Sequence, residues 1–485
     1  NEKLARLGLQ AEDLSDETHR LHALQLADPA AEDLLSRDQY AEIRRRAARV
    51  KTQVTPPVPA AIQATLRPYQ IEGFHFLSYL AENAFGGILA DDMGLGKTLQ
   101  ALAWLAWLRE KTPGKPSLVV CPKSVADNWH HEGLRFFPSL KVVLWRGSSD
   151  DEFLESASAC DLMVINYSQL RTLSDAMKQV SWLAAILDEG QYIKNPQSLT
   201  ATTARQLQAT HRLVLTGTPI ENRLLDLWSL MGYCMPGLLG PQARFTRQYD
   251  HAGDPLARQR LSARVRPFLL RRTKTQVAPE LPPRTEEDLL CDMTPRQETL
   301  YRAELKAAQM RLLNISTKKQ FDSERFNFLT SLLRLRQICC HPNLFAEENS
   351  TEAREPGAKE EALLDLLEPL MEEGHKVLVF SQFVSVIERL ELLLAEREWK
   401  TFVLTGETED RGKLVGDFQS TEGAAIFLIS LKAGGFGLNL TAASYVVLFD
   451  PWWNPAVENQ AIDRTHRIGQ TRPVIAYRLI ARNSI

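Results

Sequence analysis

The stretch ADDMGLGKTLQ, residues 90–100, carries the most informative local pattern of the sequence. It follows the short apolar run FGGILA, which predicts a buried strand, and it leads into LQALAWLAWL, which is long enough for a core helix. The glycines therefore occupy a strand-to-helix turn. Gly94 and Gly96 let the backbone approach a phosphate closely, and the N-terminus of the following helix favours an anion. The stretch predicts a phosphate-binding loop in an α/β protein.

Two side chains after the glycines complete this loop. Lys97 can reach terminal phosphates, and the Thr98 hydroxyl can bind a magnesium ion. One position departs from the strict motif, because Asp91 stands where that motif has its first glycine. Taken alone, the stretch leaves open a glycine-containing turn that binds nothing, although the strand-turn-helix setting disfavours it.

The composition is that of a globular protein with more than one domain. The chain has 485 residues, of which 44% are hydrophobic and 24% charged. No apolar run reaches membrane-spanning length, so we expect no membrane association. The 6 cysteines include no CxxC pair and the histidines are scattered, so we expect a reducing compartment and no structural zinc. The first residue is Asn and the last is Ile485, so we expect both ends to be trimmed.

The charge balance argues against a broadly basic nucleic-acid coat, since the net charge is −3. Any nucleic-acid site must therefore be local. One segment, RVRPFLLRRTK at 264–274, holds four arginines and a lysine without an acid. Charge alone favours a solvated or acid-paired linker for this segment.

Apolar runs of strand length alternate with helical stretches through the first half. This alternation predicts a mostly parallel sheet with helices on both faces. The runs after the phosphate loop are SLVVCPKS (117–124), KVVLW (141–145), DLMVINY (161–167), AAILDEGQ (184–191) and HRLVLTGTP (211–219), which we expect to be the last strand of this half.

An acidic pair, Asp188 and Glu189, ends the run AAILDEGQ. Acids at the carboxyl end of a parallel strand lie where α/β sheets bind ligands. One carboxylate there can hold magnesium, and its neighbour can orient or deprotonate a hydrolytic water. Taken alone, the pair also fits a turn or a helix cap.

A second alternating series has no phosphate loop. Its strand-like runs are HKVLVFSQF (375–383), WKTFVLTG (399–406), AAIFLIS (424–430) and ASYVVLFD (443–450). Near its end, Arg464 and Arg467 are three positions apart, which on a helix places both guanidinium groups on one face. The two series predict two lobes, with a nucleotide held between them and arginines supplied by the second lobe.

We expect the following organisation. Residues 1–55 form a helical appendage and linker, 56–284 form lobe 1, and 285–485 form lobe 2. Helical stretches at about 223–265 and 294–340 protrude from the two lobes, and the Pro-rich stretch 278–287 is the boundary between them.

Beside the phosphate loop, the chain has LRPYQ, DEGQ, LTGTPIEN, VLVFSQF, AGGFGLNL and QAIDRTHRIGQ in that order, from residue 66 to 470. This ordered set resembles the Swi/Snf-type ATPases of helicase superfamily two. AGGFGLNL, FDPWWNP and HRIGQ point to this family rather than to generic RNA or DNA helicases. The resemblance implies two RecA-like α/β lobes and ATP hydrolysis coupled to translocation along double-stranded DNA, without strand separation.

The resemblance also implies a role for each matching residue. The ATP-binding set is Gln70, Gly94, Gly96, Lys97, Thr98 and Gln460, with magnesium at Thr98 and Asp188. The catalytic set is Lys97, Asp188, Glu189, Arg464 and Arg467, the two arginines acting as fingers. Residues that couple hydrolysis to lobe movement are Gln191, Thr216, Gly217, Thr218, Gly435 and Gly437. Contacts with DNA phosphates are expected from Lys123, Ser124, Asn166, Ser381 and Gln382.

By the same resemblance, the basic segment 264–274 connects the lobes near the DNA. The expected cofactors are ATP and magnesium. The expected partners are double-stranded DNA and an unidentified DNA-bound protein such as a polymerase or a nucleoid protein. We expect this chain to act as a monomeric motor that displaces the bound protein. Gln191 stands where the better-known remodelling enzymes have histidine, and DEGQYIKN resembles prokaryotic members. We therefore expect a cytoplasmic, nucleoid-associated protein, or a nuclear one in a eukaryote.

Three alternatives remain open from the residues. A strand-separating or RNA-directed helicase shares most of the motifs. A DNA-binding scaffold with an inactive ATP site is disfavoured by the intact Lys97, Asp188, Glu189 and Arg467. A simple nucleotide-binding enzyme such as a kinase is disfavoured by the two strand series.

Overall fold

A computed structural model describes residues 53–217, 223–249, 255–313, 318–344, 356–434, 438–453 and 455–484, with six positions between 37 and 50. The chain divides into two compact units, Asn1–Pro279 and Glu280–Ile485. The predicted boundary at residue 285 stays a prediction. Most of the predicted appendage at 1–55 lies outside the described residues, as do Thr218, Gly435 and Gly437.

Within its described residues, the first unit holds a 7-stranded sheet in the order β3-β4-β2-β5-β6-β1-β7. Its strands are β1 (Gly87–Leu89), β2 (Ser117–Cys121), β3 (Val142–Leu144), β4 (Leu162–Asn166), β5 (Trp182–Asp188), β6 (Ala209–Leu215) and β7 (Leu269–Leu270). Each neighbouring pair is parallel. The predicted parallel α/β architecture is confirmed, and the carboxyl ends of all the strands lie at one edge.

Helices cover both faces of this sheet. They are α1 (Pro68–Glu82), α2 (Lys97–Lys111), α3 (Lys123–Phe136), α4 (Asp150–Ala159), α5 (Tyr167–Thr172), α6 (Ser174–Gln179), α7 (Leu199–Gln206), α8 (Leu224–Cys234), α9 (Gln242–Tyr249), α10 (Pro255–Val265) and α11 (Lys274–Val277). Every residue of β5 is buried, which explains its continuous apolar sequence. The described part of segment 223–265 consists of α8, α9 and α10 with non-helical residues at 235–241, and Leu230 of α8 and Phe245 of α9 belong to the main hydrophobic core.

Strand β6, which ends at Leu215 just before TGTP, is not the last strand of the first unit. Residues Leu269–Leu270 add β7 beside β1, with Ile88 opposite Leu269 and Leu89 opposite Leu270. This strand has only two residues and lies inside the basic segment, so it shows no strand-length apolar pattern. The expectation that residues 211–219 form the final strand is therefore wrong.

Within its described residues, the second unit holds a 6-stranded sheet in the order β10-β11-β9-β12-β13-β8. Its strands are β8 (Arg284–Cys291), β9 (Lys376–Ser381), β10 (Thr401–Leu404), β11 (Ala425–Ser430), β12 (Tyr445–Leu448) and β13 (Val474–Ala481). The sequence placed a Pro-rich boundary across the start of β8. This edge strand carries mostly exposed, charged residues, which is why it lacks an apolar signature.

The helices of the second unit complete the same α/β pattern. They are α12 (Pro295–Leu313), α13 (Lys318–Cys340), α14 (Ala358–Glu372), α15 (Val384–Ala395), α16 (Arg411–Ser420), α17 (Leu431–Gly434) and α18 (Pro455–Ile462). The helical stretch expected at about 294–340 corresponds to α12 and α13. Over the described ranges, no helix is both long and apolar enough to cross a membrane.

Candidate active site

The phosphate loop connects β1 to α2 at the carboxyl edge of the first sheet. Gly94 has φ 85° and Gly96 has φ 74°, a left-handed conformation that glycine adopts at little cost. A Cβ atom on Gly96 would lie 2.5 Å from Gln70 Nε2. The left-handed backbone angle therefore favours glycine at position 96, and any side chain there would also displace the end of the Gln70 side chain.

Lys97 begins α2 and folds back over the loop. Its Nζ donates to the carbonyl of Asp91 at 2.6 Å and to that of Asp92 at 3.3 Å. Gln70, the predicted adenine contact, is buried, and its Nε2 donates to the carbonyl of Leu95 at 3.2 Å. The side chains of these two predicted ATP-binding residues thus both donate to carbonyls of one loop.

The acidic pair lies at the end of β5, and both carboxylates are buried. Burial, followed by the charge of Glu189, raises the pKa of Asp188 to about 7. Glu189 has φ 52°, a left-handed conformation that costs a non-glycine residue energy and concentrates at functional sites. The Asp188 Oδ1 accepts from the Glu189 amide at 2.9 Å. The sheet therefore holds two adjacent negative groups in a dry setting.

A chain of side-chain hydrogen bonds leads from this pair to the next strand. Gln191 Nε2 donates to Glu189 Oε2 at 3.0 Å, and Thr216 Oγ1 donates to Gln191 Oε1 at 3.1 Å. Thr216 follows β6, which is the neighbour of β5 in the sheet. Of the predicted coupling residues, Gln191 is thus bonded directly to Glu189, and Thr216 is connected to it through Gln191. Gly217 follows Thr216, and a Cβ there would lie 3.1 Å from Met93 of the phosphate loop.

Sequence reasoning missed two aromatic residues that hold Asp188. Trp129 of α3 is fully buried, and its Nε1 donates to Asp188 Oδ2 at 2.8 Å. The Tyr167 hydroxyl donates to the Asp188 carbonyl at 2.8 Å, and the Tyr167 ring stacks on Tyr192 at 4.7 Å. A buried indole N–H needs an acceptor, so a Trp on the apolar face of α3 was a usable signal.

The donor set at this edge fits a magnesium ion. Thr98 and Asp188 offer the hard oxygen ligands that this ion prefers. Burial, followed by the charge of Glu189, raises the pKa of Asp188, and a cation bound beside this carboxylate would offset that effect. No cluster of three or more His, Cys, Asp or Glu suits a metal anywhere in the described part of the chain. Few protein ligands are needed, because magnesium keeps several waters and binds substrate phosphates.

Asp91, the position that departs from the strict motif, is fully buried. Its carboxylate accepts two hydrogen bonds from Arg272, Nε to Oδ1 at 3.0 Å and Nη2 to Oδ2 at 2.6 Å. Arg264 and Lys274 are also buried. Arg272 is therefore acid-paired, one of the two possibilities that charge alone favoured for segment 264–274, while the expected position of this segment near the DNA stays a prediction.

The predicted DNA-contacting residues of the first unit lie together at the carboxyl ends of neighbouring strands. Lys123, which is exposed, and Ser124 begin α3 after β2. Asn166 ends β4, where its Oδ1 caps α5 by accepting from Ser168 and Gln169 amides. In the second unit, Ser381 is fully buried. Gln382 is half-buried, and its backbone N–H donates to the Asp450 carboxylate.

The predicted arginine pair of the second unit does not lie on a helix. Helix α18 ends at Ile462, and residues 463–469 form successive turns. The Arg464 carbonyl accepts from the Leu440 amide at 3.0 Å, so it is committed outside the helix. Arg464 is buried, and Arg467 Nη1 donates to the Leu438 carbonyl at 3.4 Å. The helical expectation for this pair is wrong, while Gln460 does lie on α18.

A phosphate loop and an acidic pair at the carboxyl edge of one parallel sheet form the arrangement typical of nucleotide-binding α/β proteins. Residues 69–344 match the SNF2-related domain, and residues 358–469 match the helicase conserved C-terminal domain. The chain therefore belongs to the SNF2-related family, as the ordered motifs indicate.

Relatives of known name support this assignment. The chain is 38% identical over 426 residues to an uncharacterized ATP-dependent helicase of Mycoplasma pneumoniae, covering 87% of this chain and 40% of that protein. It is 37% identical to the putative ATP-dependent helicase/translocase YwqA of Bacillus subtilis, covering 88% and 47%. The chain thus spans less than half the length of these relatives. A solved Sulfolobus solfataricus SWI2/SNF2 ATPase core in complex with dsDNA is 35% identical, with a TM-score of 0.48 over 88% of this chain and 90% of that one.

Proposed function

We propose that this chain is the motor of an ATP-dependent double-stranded DNA translocase that displaces or remodels DNA-bound proteins without separating the strands. The observation that carries the proposal is the hydrogen-bonded chain Glu189–Gln191–Thr216 beside the phosphate loop. It connects the group proposed to act on water with the neighbouring strand end. Such a connection suits a motor, because ATP hydrolysis at the site must change the conformation of other parts of the protein.

In this proposal the phosphate loop binds ATP. Gly94, Gly96 and the start of α2 surround the phosphates, Lys97 neutralises them, and Gln70 contacts adenine. Thr98 and Asp188 hold magnesium, which would neutralise phosphate charge when bound. These assignments rest on the family and on the placement of the residues at one edge of one sheet.

Glu189 is the proposed base that orients and deprotonates water. Its Oε2 accepts from Gln191, which orients the carboxylate. Trp129 and the Glu189 amide fix the neighbouring Asp188 carboxylate from two sides. Gln460, Arg464 and Arg467 of the second unit are assigned to the same nucleotide by family likeness, with the arginines stabilising transition-state charge.

ATP must bind one lobe arrangement more tightly than the other, because equal affinity would shift no equilibrium. Lys123, Ser124 and Asn166 at one sheet edge, with Ser381 and Gln382 of the second unit, are the proposed contacts to DNA phosphates. Because Ser381 is buried, Gln382 is the better candidate of that pair. Phosphate contacts are independent of sequence and sensitive to salt.

The test is the ATPase rate without nucleic acid and then with duplex DNA, single-stranded DNA or duplex RNA at fixed salt. Strong stimulation by duplex DNA alone, together with no strand release in a displacement assay, is the expected result. Stimulation by single strands or RNA would favour the helicase alternative. No hydrolysis with any nucleic acid, while ATP still binds, would favour the scaffold alternative.

A further inference from the structure

Residues 269–274 run alongside the start of the phosphate loop. After β7 pairs with β1, the contacts continue: the Ala90 amide donates to the Leu270 carbonyl at 2.7 Å, and the Asp92 amide donates to the Arg272 carbonyl at 2.9 Å. The loop returns the contact, since the Lys274 amide donates to Asp92 Oδ2 at 3.0 Å. The first part of the loop is therefore fastened along its length to this segment.

The side chains of Arg272 and Asp91 add a buried ion pair to these backbone contacts. The guanidinium and carboxylate form a two-pronged pair, and both groups are nearly inaccessible to solvent, at 9% and 0% exposure. Removing one member of such a pair leaves a buried charge without compensation. A planar guanidinium also fixes the direction of the carboxylate, which an ammonium group does not.

The same guanidinium reaches the two helices that flank the loop. Arg272 Nη1 donates to the carbonyl of Tyr69 in α1, and Nη2 donates to Gln100 Oε1 in α2 at 2.9 Å. The fit is close, because a Cβ on Gly73 would lie 1.8 Å from Gln100 Oε1 and 2.8 Å from Arg272 Nη2. Arg272 thus sits at a junction of α1, α2 and the loop.

Single hydrogen bonds connect this junction to residues that are proposed to contact ATP. The carbonyl of Asp91 accepts from Lys97 Nζ. The carbonyl of Leu95 accepts from both the Tyr69 hydroxyl, at 3.0 Å, and Gln70 Nε2, at 3.2 Å. A shift of Asp91 or of Tyr69 would therefore move the groups on the phosphate side and on the adenine side of the loop.

We infer that Arg272 and Asp91 are a positioning pair for nucleotide binding, which keeps the phosphate loop and the Gln70 helix in the arrangement that receives ATP. This inference rests on the proposed ATP site and adds to it two residues that touch no part of the nucleotide. Asp91 replaces the usual glycine because it anchors Arg272. The pair also fastens the phosphate loop to the stretch of chain that leads to the second unit, which begins at Glu280.

The experiment measures the dissociation constant of a non-hydrolysable ATP analogue by calorimetry on the whole chain, for the unaltered protein, Arg272→Gln, Asp91→Asn and the double variant. We expect each single substitution to weaken binding on the order of tenfold or more, the scale of a small misplacement of binding groups. The double variant should weaken binding by less than the product of the two single effects, because the residues act as a unit.

Two further variants separate positioning from general stability. Arg272→Lys keeps the charge but loses the two-pronged geometry, so it should fold and still bind the analogue weakly. Arg212→Gln is the matched control: Arg212, on β6, donates only to the carbonyls of Leu207 and Tyr233 in the hydrogen bonds described for it. It should lower the melting temperature and leave the dissociation constant unchanged.

The outcomes distinguish this inference from the proposed ATP site. If the unaltered protein binds the analogue and Lys97→Ala weakens binding, but Arg272→Lys and Asp91→Asn do not, the positioning role is overturned and the ATP site stands. If Arg212→Gln weakens binding as much as Arg272→Lys, the effect is general destabilisation and the inference also fails. If the unaltered protein binds no analogue, the proposed ATP site itself is rejected.

Discussion

Asp91 in the phosphate loop and Asp188 at the end of β5 are two buried carboxylates with opposite surroundings. Asp91 faces the Arg272 guanidinium, whereas Asp188 faces a second carboxylate, that of Glu189. The first arrangement balances a charge inside the protein. In the second arrangement, burial, followed by the charge of Glu189, raises the pKa of Asp188 to about 7. The partner of a buried acid, rather than its burial, decides whether it supports the fold or awaits a ligand.

The largest expected effect is the loss of ATP turnover when the Glu189 carboxylate, beside Asp188, is removed. Glu189→Gln keeps the shape and removes the proposed base, so ATP turnover should fall about a thousandfold while ATP binding persists. The measurement is steady-state turnover with saturating duplex DNA, beside calorimetric ATP binding. Glu82→Gln, on the first helix of the same unit, is a matched control that should retain its rate. Normal turnover in Glu189→Gln would remove that residue from the catalytic role.

The next prediction compares how Asp91 and Asp188 contribute to the free energy of unfolding. Arg272→Gln leaves Asp91 buried without its partner and should lower the free energy of unfolding by about 3 kcal/mol. Asp188→Asn instead removes a poorly compensated charge and should raise that free energy in metal-free buffer at neutral pH. Denaturant unfolding measures both. Changes of the same sign would show that the two carboxylates do not differ as described.

A smaller effect is expected at the indole that holds Asp188. Trp129→Phe keeps the ring packing and removes the N–H donor, which costs about 1.5 kcal/mol when the acceptor is charged. Turnover should fall about tenfold, because 1.4 kcal/mol corresponds to a factor of ten. Trp182→Phe, which removes a hydrogen bond to the Met177 carbonyl away from the loop, is the control. Equal rates in Trp129→Phe and the unaltered protein would limit Trp129 to packing.

The smallest effect, counted per pH unit, is a pH dependence of folding stability that comes from Asp188. The folded pKa of about 7 lies above the ordinary aspartate pKa of about 3.9, so the folded state binds the proton more tightly. Stability from this group is present below about pH 4 and is lost as the pH rises through about 7, by at most about 1.4 kcal/mol per pH unit. Unfolding curves in chelator between these pH values measure the slope. Asp188→Asn should flatten it, and an unchanged slope would contradict the assignment.

Local patterns predicted the parts of this protein that depend on neighbours in sequence. The phosphate loop, the acidic pair and most buried strands follow from runs of apolar residues and the polar residues at their ends. The two-residue strand β7 and the charged edge strand β8 could not be predicted in this way, because their place is set by pairing with distant strands. The helix expected at Arg464 and Arg467 was wrong for a similar reason, since the Leu440 amide engages the Arg464 carbonyl.

By itself, the sequence determined the α/β class, the strand-to-helix phosphate loop and the family, since these depend on local periodicity and on motifs in order. Only the tertiary structure decided what each charged group does. Arg272 and Asp91 are separated by 181 positions and neutralise each other, while Trp129 reaches Asp188 across 59 positions. The physical reason is that the energy of a buried charge depends on the groups packed around it, and folding brings those groups from remote parts of the chain.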